Sequence, residues 1–272
     1  MRPKQWVKNL LLLAAPIAAG VVLERGNWAP IAVGFASFCL IASGAYFVND
    51  LMDRDSDRRH PKKQHRPIAA GVISVPLAWF CGIALTVSGV LLSAINGTQF
   101  LCAAGAYCVY TYLYSFMLKH VETVEIVALS SGFALRAFAG ALAVGVSIST
   151  WFAVCVYAGA MLMASGKRSA ELMNGTSTRK VLAKYTPEFL STVRTTSVAV
   201  ALTSYGLWTA GSSASLIMHL SILPFTTAIL RYAQLCSAGV ADEPEELILS
   251  DRILLGAGAV WAALFFASVY WL

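Results

Sequence analysis

Four oxygen-bearing side chains, Asn49, Asp50, Asp53 and Asp57, stand close together where an apolar stretch of this 272-residue chain runs out. At helical spacing of about 100° per residue they share an arc of roughly 100°, with Asp55 pointing elsewhere. Oxygen donors converging in this way suit a hard divalent ion, and Mg²⁺ takes one or two carboxylates together with water and substrate phosphates. The spacing therefore points to a magnesium–diphosphate site built on this cluster. The bland alternative is a solvated helix end whose acids pair with Arg54, Arg58 and Arg59.

Cations follow at once in Arg58-Arg-His-Pro-Lys62-Lys63-Gln-His-Arg66-Pro-Ile-Ala-Ala-Gly71, where two prolines stiffen the chain. Metal and cations side by side neutralise phosphate charge. Positive residues that only set topology or touch anionic headgroups account for the cations and leave the adjacent acids unexplained. The theme recurs in Tyr112-Leu-Tyr114-Ser-Phe-Met-Leu-Lys119-His120-Val-Glu122-Thr-Val-Glu125, which places Glu122 and Glu125 on one helical flank. Eleven residues on, about 16 Å along a helix, Arg136 falls inside an apolar run. An intramembrane arginine costs about 2.5–3.5 kcal/mol on insertion scales, so it signals a function and an anionic partner, or else a structural pair with a carboxylate.

The elements that position these residues follow from hydropathy. With 58% hydrophobic and 12% charged residues, the chain has more apolar surface than one aqueous core hides. The mean hydropathy of +0.67 agrees. Apolar runs near the length that crosses a bilayer predict an all-α, polytopic integral membrane protein of about nine helices, at roughly 6–23, 28–48, 75–95, 98–117, 123–145, 149–166, 189–209, 213–231 and 253–271. The reading is a single helical domain over 1–272, with loops near 50–73, 118–124, 167–188 and 232–251. Strict apolar–polar alternation is absent, which excludes a β-barrel. The first apolar run lacks a small-residue cleavage site and reads as the first span. Six scattered cysteines show no metal-ligand spacing and read as reduced packing residues.

Positive charge falls on alternate loops: Arg2, Lys4 and Lys8 at the start, six cations between Arg54 and Arg66, Lys119, then Lys167, Arg168, Arg179, Lys180 and Lys184, then Arg231. The opposite loops carry little beyond Glu24 and Arg25. The positive-inside rule makes the charged face cytoplasmic, with the amino terminus in and the carboxyl terminus out of a bacterial cell membrane. Nearly all carboxylates share that face, Asp242, Glu243, Glu245, Glu246 and Asp251 included, which marks it as the working face. No nucleic-acid-binding, phosphate-cradling or serine-nucleophile motif is present.

Through Asn49-Asp50-x-x-Asp53-x-x-x-Asp57 and the Arg66-Pro-Ile-Ala-Ala-Gly71 segment, the sequence resembles the UbiA superfamily of intramembrane prenyltransferases. Within it, Arg2-Pro-Lys-Gln-Trp6-Val-Lys8-Asn9, Leu118-Lys119-His120, Ser130-Ser-Gly-Phe133 with Arg136, Gly166-Lys167-Arg168 with Glu171, and Asp251-Arg252 look like the branch that moves phosphoribose onto a polyprenyl phosphate. Where typical aromatic prenyltransferases carry a second aspartate pair, this chain has Lys119, Glu122 and Glu125. That departure suits a donor whose phosphates also need cations.

The resemblance implies that 5-phosphoribosyl 1-diphosphate is the donor. Its diphosphate is held through Mg²⁺ by Asn49, Asp53 and Asp57, with Asp50 in support and Tyr46 lining the pocket. Lys63, Arg66 and Arg58 take further donor charge, and Lys8, Arg136, Lys167 and Arg168 meet the lipid phosphate or the donor's 5-phosphate. Tyr114, Lys119 and Glu125 complete the set, with Glu125 orienting Lys119 or touching the ribose hydroxyls. The acceptor is decaprenyl or another polyprenyl phosphate in the membrane, and the product feeds cell-wall arabinan. A prenyltransferase using a polyprenyl diphosphate donor would share the Asp53 and Asp57 site. A transporter would accumulate substrate without releasing diphosphate, although no inverted repeat is visible. Small residues such as Gly132, Ala139 and Gly140 permit close helix contact, either within one chain or in a homo-oligomer.

Overall fold

The computed structural model describes residues 3–59, 63–175, 181–211, 216–242 and 244–271, with the side chains of 3–5 and 245 left aside. Every regular element among them is helical: α1 (Ala14–Ala18), α2 (Arg25–Met52), α3 (Arg54–Arg58), α4 (Val75–Ser93), α5 (Thr98–Phe116), α6 (Val124–Val144), α7 (Thr150–Met173), α8 (Pro187–Gly211), α9 (Leu216–Leu220), α10 (Ile222–Ser237), α11 (Pro244–Ser250) and α12 (Arg252–Tyr270). Among the described residues, six segments are long and apolar enough to cross a membrane: α2, α4 with the turn after it, α5 with the turn after it, α6, α9 with α10, and α12.

The other three predicted spans are helical but differ from expectation. The first is a 3₁₀ stretch, Pro3–Leu13, leading into the short α1. Pro16 has no N–H to offer the carbonyl of Leu12, and the chain leaves the helix before Gly20, at φ +75°. α7 runs on to Met173, so Lys167, Arg168 and Glu171 lie within a helix and not in the loop expected from 167 onward. The charges of that last stretch and the serines and threonines of α8 lower the apolarity of both helices.

The chain divides into two compact units, Met1–Lys119 with Leu135–Ser147, and His120–Ala134 with Ile148–Leu272. The first is built around α2. Its contact with α4 is very close, since a Cβ on Gly44 would lie 2.2 Å from the hydroxyl of Thr86 and 2.5 Å from the carbonyl of Gly82. Leu12, Phe38, Ile41, Phe100, Ala104, Tyr107 and Ala139 form its core. A Cβ on Gly140 would fall 1.8 Å from the Leu12 carbonyl, so this small residue serves packing within the chain.

In the second unit α7 and α8 pair, and two cores form, around Ile126, Leu182 and Leu190 and around Leu162, Tyr232, Cys236 and Leu254. Tyr205 links α8 to the later helices, with its hydroxyl 2.6 Å from Ser221 Oγ and accepting from Trp261 Nε1 at 2.8 Å. Both units expose large apolar side chains, such as Phe80, Leu91, Leu223 and Leu249, as expected where lipid is the solvent. Serines within the helices return their hydroxyls to the preceding turn, as Ser37 does to Val33 and Ser130 to Ile126.

Candidate active site

The acid cluster straddles a bend. Asp53 still donates its amide to Asn49 O at 2.9 Å, and its own carbonyl receives the Asp57 amide at 2.8 Å. Its backbone has left the helical region, at φ −89° and ψ 3°, so α2 ends at Met52 and α3 begins at Arg54. The four side chains therefore fall into two pairs instead of the single arc a continuous helix would give. Asn49 Nδ2 donates to Asp53 Oδ2 at 3.1 Å, and the Lys119 ammonium bridges that pair, 2.9 Å from Asn49 Oδ1 and 2.9 Å from Asp53 Oδ1. Arg66 Nη1 bridges the other, 2.6 Å from Asp57 and 3.3 Å from Asp50.

The segment carrying Arg66 is pinned from both sides. Arg58 Nε donates to the carbonyl of Ala69 at 2.9 Å, Ile68 and Ala69 are buried, and Gly71 turns the chain at φ +80°. Arg58 also approaches Asp55 at 3.9 Å, a surface pair of little worth. Lys63 opens the short 3₁₀ turn before Arg66. Of the other residues singled out in the sequence, Arg2, His60, Lys62, Arg179, Lys180 and Glu243 lie outside the described residues.

Arg136 is buried on α6 at 8% exposure. Its Nε donates to Asn9 Oδ1 at 2.9 Å, its Nη2 to the Tyr107 hydroxyl at 2.5 Å, and its guanidinium carbon lies 4.9 Å from the centre of that ring. Asn9 and Tyr107 are partners of Arg136 that sequence reading did not name as site residues. Asn9 belongs to the amino-terminal stretch that also places Lys8, where Trp6 Nε1 donates to Ser43 at 3.1 Å. A tyrosine inside the apolar α5 gave no pattern to notice. Tyr46 on α2 and Tyr114 on α5 are both partly buried in the first unit.

The second unit holds a different cluster. Arg168, 2% exposed, clasps Glu125, 1% exposed, with its Nε 3.1 and 3.2 Å from the two carboxylate oxygens. A further bond joins its Nη2 to the same carboxylate, and Nη1 reaches Glu171 at 2.6 Å. Glu125 takes Arg168 in the second unit, and Lys119 takes Asn49 and Asp53 in the first. Glu122 pairs with Lys184 at the surface. Thr123, between the two glutamates, holds φ at +61°, a strained value for a β-branched residue at the start of α6. Lys167 is half-buried beside Arg168. Before α12, Asp251 is held at about 2, chiefly by the hydrogen bond from Arg231 and next by backbone amides such as that of Leu254.

Among the described residues no three of His, Cys, Asp and Glu gather about one point. The donors present nevertheless fit a Mg²⁺ that shares its coordination with phosphate oxygens. An amide oxygen and a carboxylate oxygen, from Asn49 and Asp53, already face one cation, the Lys119 ammonium. One oxygen of Asp57 is held by Arg66.

Apolar helices long enough to span a membrane thus carry an acid- and cation-rich bend at the end of α2. The chain belongs to the UbiA prenyltransferase family, whose pattern residues 12–255 match. It is an integral membrane protein, and it is similar to the decaprenyl-phosphate phosphoribosyltransferase of Corynebacterium glutamicum, 40% identical over 99% of this chain and 85% of that protein. The enzyme of the same name from Mycolicibacterium smegmatis is 38% identical over 99% of this chain and 91% of its own. Among solved structures, a UbiA homologue from Archaeoglobus fulgidus bound to DMAPP and Mg²⁺ superposes with a TM-score of 0.77 at 18% identity, covering 97% of this chain and 94% of that one.

Proposed function

We propose that the protein transfers 5-phosphoribose from 5-phosphoribosyl 1-diphosphate to decaprenyl or another polyprenyl phosphate, with release of diphosphate. One observation carries this reading: cations lie inside the acid cluster, with Lys119 on Asn49 and Asp53 and Arg66 on Asp50 and Asp57. A donor rich in phosphate needs both signs of charge, acids for the metal and cations for the oxygens the metal leaves uncovered. The relatives' names agree with that donor.

Mg²⁺, held by Asn49 and Asp53 with Asp57 in reserve, would supply charge neutralisation to the diphosphate. Asp50 and Asp57 hold Arg66 toward the donor, and Lys63 and Arg58 add positive charge on the same segment. Tyr46 and Tyr114 line the donor pocket. Arg136, fixed by Asn9 and Tyr107, and Lys8 meet the phosphate of the lipid, whose tail stays in the bilayer. Lys167 is assigned to substrate phosphate as well, while Arg168 and Glu125 are assigned to each other.

An oxygen of the lipid phosphate attacks the anomeric carbon. The carbon–oxygen bond to diphosphate breaks, and its electron pair leaves with the diphosphate. The attacking phosphate is already an anion, so no strong base is required, and the rate comes from positioning and from stabilising the leaving group. One displacement inverts the α-configured donor to a β-phosphoribosyl lipid, a precursor for cell-wall arabinan. The charged face of the protein, and with it the site, is assigned to the cytoplasm, with the amino terminus inside.

Incubating membranes that contain the protein with labelled 5-phosphoribosyl 1-diphosphate and decaprenyl phosphate tests this reading. Label entering the lipid phase with Mg²⁺, and not after chelation, is the expected result. Transfer seen only with a polyprenyl diphosphate donor would return the protein to ordinary prenyl transfer.

A further inference from the structure

The Lys119 ammonium occupies the place where a metal would bind. It lies 2.9 Å from Asn49 Oδ1 and 2.9 Å from Asp53 Oδ1, in a side chain only 8% exposed, while the remaining Asp53 oxygen is tied to Asn49 Nδ2. Mg²⁺ binds oxygen at about 2.0–2.1 Å in near-octahedral geometry and keeps several waters, so it needs the space between these two oxygens that the ammonium now fills. A unit positive charge about 3 Å from a divalent ion would also oppose binding strongly at the modest dielectric of a half-buried site. Metal entry therefore requires Lys119 to leave.

Lys119 is built to move, and it needs somewhere to go. Its charge sits on a flexible four-carbon stem. It follows Met117, whose backbone departs from the helix at φ −126° and ψ −59°, and it lies on the three-residue 3₁₀ turn that ends the α5 span. Withdrawing a buried ammonium from its carboxylate is costly unless another anion receives it. Free Mg²⁺ brings no anion, whereas a metal–diphosphate pair brings several.

We infer that Lys119 is a resident counter-cation that reserves Asn49 and Asp53 for metal arriving with a diphosphate: it keeps free metal out, and it transfers to the diphosphate oxygens when the pair enters. This inference rests on the assignment of Asn49 and Asp53 as metal ligands. It does not depend on which diphosphate is the natural donor. Metal and donor should accordingly bind with strong positive coupling, each raising the affinity for the other by the same factor.

The test is Mn²⁺ binding to the purified full-length protein in detergent without donor, followed by electron paramagnetic resonance of the free ion. Lys119→Met should bind Mn²⁺ at least about tenfold more tightly than the wild type, because the competing charge is gone. Asp53→Asn in the Lys119→Met background should erase that gain. Lys184→Met, which removes a surface cation paired with Glu122, should leave Mn²⁺ affinity near the wild-type value. Adding 5-phosphoribosyl 1-diphosphate, or inorganic diphosphate as a probe independent of the natural donor, should tighten Mn²⁺ binding sharply in the wild type and much less in Lys119→Met. Lys119→Gln, which retains a hydrogen-bond donor without charge, should behave like Lys119→Met and guards against a folding defect. Wild-type and Lys119-substituted proteins binding donor-free Mn²⁺ equally would overturn the inference, as would a gain in Lys184→Met as large as that in Lys119→Met. Failure of phosphoribose transfer, with these metal affinities as expected, would overturn the donor assignment alone.

Discussion

Two clusters in this protein pair carboxylates with cations, and they are built for opposite purposes. In the first unit each pair joins a buried partner to a more open one, Lys119 (8% exposed in its side chain) to Asp53 (34%) and Asp57 (5%) to Arg66 (25%), and each cation is divided between two acceptors at a bend in the chain. In the second unit, Arg168 and Glu125 are 2% and 1% exposed and bind each other through several bonds on two regular helices. Breaking the buried pair strands a charge where water cannot reach it. At the bend one partner of each pair is open to solvent, so on the reading proposed above these pairs can be traded for incoming ions. The same residue types thus yield an exchangeable site at a helix end and a fixed strut within a helical core, and burial decides which.

The contrast breaks most visibly at the strut. Glu125→Ala removes the carboxylate that Arg168 clasps and is expected to cost about 3–5 kcal/mol of stability. Thermal melting in detergent should fall accordingly, and a Glu125→Gln, Arg168→Met double variant should recover part of the loss. A Glu125→Ala protein that melts like the wild type but loses metal response would move this residue into the active site. A smaller effect is expected at the bend, where Arg66→Gln should lower transfer by about a hundredfold while shifting melting little. The smallest separates both clusters from a third carboxylate. Asp251 is held at about 2, below its ordinary 3.8, so its stabilising contribution is complete above the ordinary value and is lost as pH falls through about 2. Comparing acid unfolding of the wild type with Asp251→Asn should show the two curves converging over that window. Separation that persists unchanged to lower pH would assign the loss to another group.

Legibility in the sequence tracked distance along the chain. Asn49, Asp50, Asp53 and Asp57 were readable because neighbours on a helix end are neighbours in space, and Arg66 lies only nine residues from Asp57. The bend at Asp53, which splits them into two pairs, was not readable, since nothing in the local composition marks it. Lys119 reaches Asn49 across 70 residues, and Arg136 reaches Asn9 across 127. Tertiary packing alone sets such pairings. The apolar spans were clear where lipid exposure forces continuous hydrophobicity, as in α4 and α12. The apolarity is lower in α7 and α8, where buried polar residues such as Ser165, Arg168, Ser197 and Ser204 occupy helix positions.

The central claim is that the bend is the reactive cluster and the buried strut is not. Its most direct test compares Asp53→Asn and Glu125→Gln, both charge-removing and nearly isosteric, for magnesium-stimulated transfer of labelled phosphoribose per correctly folded molecule. The account predicts a loss of about a hundredfold or more in Asp53→Asn at wild-type melting temperature, with Glu125→Gln losing stability but keeping its magnesium response per folded molecule. Near-normal, magnesium-stimulated turnover in Asp53→Asn would contradict it.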